Sequence, residues 1–103
     1  MSLEESLRRV LNEGRDWQRV PVKGAPGVFV LKAPASKNRP ATLIVELNPV
    51  GPDGSPRKRR GLMLRSPGEL EEFRRLLSNP RLDELLRAVE RVNPQGVGGD
   101  LEV

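Results

Sequence analysis

Read along the chain, the spacing of apolar residues changes twice. Leu3, Leu7, Val10 and Leu11 fall at helical intervals on one stripe. Ser2 and Glu5 stand where a capping box needs them, and Gly14 is a natural stop, so a helix is predicted over 3–13. From Trp17 the pattern shortens. WQRVPVK (17–23), VFVLKA (28–33), ATLIVELN (41–48) and RKRRGLMLR (57–65) are short, β-rich segments separated by Gly/Pro turn chemistry. After Ser66-Pro67-Gly68-Glu69, a second capping pattern with Pro at the first helical position, the helical period returns. Leu70, Phe73, Leu76 and Leu77 stripe one helix, and Leu82, Leu85, Leu86, Val89 and Val92 stripe another that starts at Asn79-Pro80 and ends before Pro94. The predicted fold is α+β: a four-stranded antiparallel sheet with an N-terminal helix and two C-terminal helices packed on one face, in the order α-β-β-β-β-α-α. Residues 1–94 would form one domain and 95–103 a flexible tail.

Charge sharpens this division. The chain of 103 residues carries a net +4, but residues 17–65 hold ten cations against only Glu46 and Asp53. Both helical blocks are net acidic. The sheet is therefore predicted to be the basic layer, with Arg57, Lys58, Arg59 and Arg60 side by side at a hairpin.

Alternation along the strands assigns faces. On the last strand Arg57, Arg59, Met63 and Arg65 share one side, and Lys58, Arg60, Leu62 and Leu64 the other. On the first, Trp17, Arg19 and Lys23 oppose Val20 and Val22. In 41–48, Leu43, Val45 and Leu47 alternate with Thr42, Glu46 and Asn48. If the aliphatic sets face the core, an outer face collects Trp17 and Arg19 together with Arg57, Arg59 and Arg65. The second strand is apolar on both sides and stays unoriented. A lone indole can equally be a core anchor, and a charged strand can simply discourage edge pairing.

The inventory narrows the chemistry. There is no Cys, His or Tyr, which removes disulfides, thiolate and imidazole catalysis and the usual zinc sites. No phosphate-binding glycine motif is present. The chain is predicted to be no enzyme and to use no cofactor, no metal and no small-molecule substrate. No apolar run is long enough for a membrane span, and the acidic amphipathic start is unlike a signal peptide. A cytoplasmic, nucleoid-associated protein is expected. The Arg-rich, Cys-free composition with 10 prolines leans toward a thermophile.

A cationic sheet with an exposed ring suits single-stranded nucleic acid: Lys and Arg follow phosphates while the ring stacks on an unpaired base. The candidate contacts are Arg57, Lys58, Arg59, Arg60 and Arg65, extended by Arg19, Lys23, Lys37 and Arg39, with Trp17 and Phe29 as stacking groups. Duplex or structured-RNA binding, and docking of an acidic protein partner, remain open alternatives.

Residues 41–94, ATLIVELNPVGPDGSPRKRRGLMLRSPGELEEFRRLLSNPRLDELLRAVERVNP, resemble the ThermoDBP-related single-stranded-DNA-binding proteins of archaea. They are more loosely similar to Whirly and transcriptional-coactivator-type single-strand binders. The resemblance lies in a strand, an Asp53 turn, a basic run ending in Gly61, a short apolar strand and a capped helix. It implies sequence-tolerant binding of single-stranded DNA, with RNA as a second ligand class, by a homo-oligomer (dimer or tetramer). It also implies that Arg57 to Arg60 contact the nucleic-acid backbone and that Trp17 and Phe29 stack. With Phe73 the chain has only three aromatic residues, which shifts stacking toward Arg guanidinium planes.

Overall fold

The computed structural model describes residues 2–94; the tail expected at 95–103 lies outside them. The order is that of the sequence reading: α1 (Leu3–Glu13), β1 (Val20–Pro21), β2 (Val28–Ala33), β3 (Thr42–Leu47), β4 (Leu62–Leu64), α2 (Pro67–Leu77) and α3 (Pro80–Val92). The chain divides into two compact units, residues up to Pro67 and residues from Gly68 onward.

In the first unit, α1 starts on the expected capping box. Glu5 N–H donates to Ser2 Oγ at 3.1 Å and Ser2 N–H to Glu5 Oε1 at 2.8 Å. Its last turn closes with Gly14 N–H donating to the Val10 carbonyl at 2.8 Å. The four strands form an antiparallel meander in the order β1-β2-β3-β4. The β1–β2 turn needs a left-handed residue, supplied by Gly27 at φ 92°, where a Cβ would also come 3.3 Å from the Asn48 carbonyl oxygen.

Two predicted strands are much shorter than expected. β1 keeps two residues because Trp17 takes φ 62° and Pro21 lacks an N–H for the ladder. β4 keeps three because residues 57–60 are bent rather than extended. Alternation therefore does not govern Arg57 to Arg60, and their predicted split between two faces does not hold.

Register settles the unoriented strand. Phe29, Glu46 and Met63 lie directly across from one another, as do Leu31 and Ile44, so these share a face. Val20, Val30, Val45 and Leu64 share the other. On β3 the predicted outer side holds the most deeply buried residues, Ile44, Glu46 and, just beyond the strand, Asn48, whereas Val45 is 36% exposed. The cause is local: the segments at 17–19 and 57–61 fold back over that face and hydrogen-bond to it.

In the second unit, α3 is capped by Asn79, whose Oδ1 accepts from Arg81 N–H at 2.9 Å, with Pro80 following. Neither α2 nor α3 has a buried residue. Among the described residues no helix is long and apolar enough to cross a membrane.

Candidate functional site

Glu46 is the organising residue, and its solvent exposure is 0%. A buried carboxylate is tolerable only when its lone pairs are satisfied. Arg19 Nε donates to Oε1 at 2.6 Å and Arg19 Nη2 to Oε2 at 3.2 Å. Gly61 N–H and Asn48 Nδ2 donate to Oε2 at 2.7 and 3.3 Å. Led by the Arg19 hydrogen bond, these donors hold the Glu46 carboxyl below its ordinary range, and the same bond pushes the Arg19 guanidinium up.

The network continues into the basic run. Asn48, 1% exposed, accepts from Lys58 N–H at 3.1 Å and donates to the Lys58 carbonyl at 2.8 Å. Arg57 N–H donates to the Pro49 carbonyl at 2.7 Å, and Arg19 Nη2 to the Arg59 carbonyl. Backbone groups of Arg57, Lys58 and Gly61 are thus tied to β3 and its continuation, and the Arg59 carbonyl to Arg19, although the segment forms no ladder. Gly61 permits the closest approach: a Cβ there would stand 2.1 Å from the Leu47 carbonyl oxygen. Backbone bonds at Arg57, Lys58 and Arg59 fix the course of the run, and all four of its cations are exposed. Among the described residues, no ion pair involves Arg57, Lys58, Arg59 or Arg60.

Between this loop and the Trp17 segment runs a groove of about 530 Å³. Leu31, Ile44 and Met63 supply its apolar surface, and Gly61 with Arg19 joins the loop to the sheet. Arg59, Arg60, Arg65 and Trp17 complete the lining. The indole is 54% exposed, so the core-anchor alternative is removed. Its backbone conformation costs about 1–2 kcal/mol for an L-residue. Trp17 N–H donating to the Lys32 carbonyl at 2.8 Å holds it there.

The predicted residues fall into three groups. Trp17, Arg59, Arg60 and Arg65 converge on the groove, Arg60 from the side opposite to its predicted one. Arg19 converges too, but as the partner of Glu46, so its charge is offset and the expectation of a phosphate-binding cation is corrected. Phe29 is 6% exposed on the sheet, sealed from any base, which corrects its assignment as a stacking group. Arg57 turns its Nε toward the Val50 carbonyl at 3.3 Å and does not line the groove; the exposed Lys58 does not line it either.

The remaining cations do not form one continuous track. Register puts the β1–β2 turn with Lys23 and the 48–61 loop at one end of the meander, and the β2–β3 connection with Lys37 and Arg39 at the other. All three are exposed and outside the groove lining.

Compared with known proteins, the chain matches no family model, no curated protein and no solved structure. The site therefore rests on its own geometry. Sequence reasoning missed Glu46, Asn48 and the apolar floor. One signal for Glu46 was present: it is an acid within an apolar strand, inside a block that is otherwise almost wholly cationic. Among the described residues no cluster of three or more potential metal ligands occurs.

Proposed function

We propose that this chain binds single-stranded DNA or RNA with little sequence preference, as the resemblance to ThermoDBP-related proteins implies. The observation that carries the reading is the groove, where an exposed indole and three guanidinium groups (Arg59, Arg60, Arg65) surround an apolar floor. Stacking of one base on an aromatic ring is worth roughly 1–3 kcal/mol and tolerates any base. Guanidinium groups add phosphate contacts, and their planes can also stack. A duplex keeps its bases paired and inaccessible to Trp17, which favours the single strand over the duplex reading.

Titration with oligo-dT is the direct test, because Trp17 is the sole tryptophan and there is no tyrosine. Binding should quench the indole strongly. Neutralising about two phosphates, through Arg59 and Arg60, should give a slope of log K against log salt of about −1.4, at about −0.7 per phosphate. Unchanged emission with a flat salt response would remove the proposal, and tighter binding of duplex at equal phosphate would replace it.

We read the functional form as a homo-oligomer. Leu76 and Leu77 on α2 and Leu85 and Leu86 on α3 are all exposed, and large apolar side chains left uncovered in a single chain gain by burial against a partner. Sedimentation equilibrium should give a mass at least twice the 11.5 kDa of one chain, whereas a monomer at all concentrations refutes this.

A further inference from the structure

Every polar side chain lining the groove is a hydrogen-bond donor. Arg19, Arg59, Arg60 and Arg65 present guanidinium N–H groups and Trp17 an indole N–H, and neither group can accept. Leu31 and Ile44 offer no hydrogen bond, and Met63 only a weakly accepting thioether. Three acceptors behind the groove are already engaged. Glu46 is fully buried beneath Arg19, Asn48 and Gly61 donors, Asn48 Oδ1 takes Lys58 N–H, and the Arg59 carbonyl takes Arg19 Nη2.

We propose that the groove favours nucleobases that present keto oxygens, namely thymine, uracil and guanine, over adenine. This rests on the single-strand reading and refines it. A base laid on Trp17 turns its major-groove edge toward Arg59 and Arg60, each of whose five guanidinium N–H donors can serve that edge and a phosphate together. Thymine and uracil offer O4 there, and guanine offers O6 and N7 together, the arrangement that accepts two parallel N–H groups from one arginine. Adenine carries an amino group where guanine has O6, so donor meets donor and the amine finds no side-chain acceptor. Cytosine, with one amine and one carbonyl, falls between. The groove is open to water, which can serve the adenine amine, so the preference is modest: roughly three- to tenfold, the value of one net hydrogen bond. That is compatible with a binder that accepts all sequences.

Homopolymers would confuse this effect with self-stacking, so the probe is a pair of short oligonucleotides in which deoxyinosine or deoxyadenosine alternates with abasic spacers. The two share one ring system and the N7 acceptor, and differ in a carbonyl or amine at position six and in the proton that the carbonyl form carries on N1. Indole quenching should give the inosine oligomer at least threefold tighter binding. In Arg59→Lys/Arg60→Lys, charge is kept but the planar fork is lost, and the ratio should fall toward one while the oligo-dT salt slope persists. Equal or tighter binding of the adenosine oligomer overturns the inference, as does a preference that survives the lysine variant. Oligo-dT run in parallel separates the two levels: if it binds and the pair is equal, only the keto preference fails. If oligo-dT does not bind, both readings fail.

Discussion

Replacing Glu46 with Ala should cost about 2–4 kcal/mol and lower the thermal midpoint by roughly 10–25 °C. The substitution removes an acceptor that satisfies Arg19, Gly61 N–H and Asn48 Nδ2 at once. Desolvated donors left without a partner cost more than the net worth of the bonds they made. Arg19 keeps its side chain 32% exposed and can rehydrate in part, which brings the cost below that of breaking a fully buried pair. The acid limb of stability supplies an independent readout. The folded Glu46 carboxyl lies below its ordinary value of 4.5, so its contribution is complete above that value and drains away as pH falls through the lower folded value. Glu46→Ala should flatten this limb relative to the parent chain. A midpoint within about 2 °C of the parent, with an unchanged acid profile, would show that Glu46 does not organise the loop.

Arg59→Ala/Arg60→Ala should weaken oligo-dT binding by roughly tenfold to a hundredfold while leaving the thermal midpoint nearly unchanged. Both side chains line the groove, and among the described residues neither enters an ion pair that folding would lose. Removing two phosphate contacts should make the log K–log salt slope shallower by about 1.4. The comparison that tests the geometry is Arg57→Ala. Arg57 belongs to the same run but points its Nε to the Val50 carbonyl and stays out of the groove, so it should cost much less. Equal losses from all three arginines would mean that the run acts only as diffuse charge and that the groove has no special role. Loss of stability in the double variant would return the run to a structural role.

Much of the fold was legible because it is encoded locally. Ser2 and Glu5 form their capping box three residues apart, Pro80 follows the Asn79 cap, and VFVLKA occupies β2 to the residue. The groove was half legible: Trp17, Arg59 and Arg65 were assigned to one face and do converge. Arg60 was assigned to the other face because strand alternation was extended into a segment whose backbone bonds to Asn48 and Pro49 instead of a neighbouring strand. Phe29 was hidden by the two-sided hydrophobicity of β2, since no periodicity distinguishes which side a covering loop will seal.

The sequence by itself determined the order of elements, the concentration of positive charge in the middle of the chain and the absence of imidazole and thiol chemistry. These follow from hydrogen bonding within a few residues and from composition, neither of which needs a partner elsewhere. The tertiary structure decided which side of β3 is buried, that Arg19 has its charge offset by Glu46, and which arginines reach the groove. Each of those depends on Arg19 meeting Glu46 across 27 residues and on Gly61 pressing against the backbone of Leu47. Burial and charge pairing are properties of groups brought together by folding, so they become readable only once the loop has closed over the sheet.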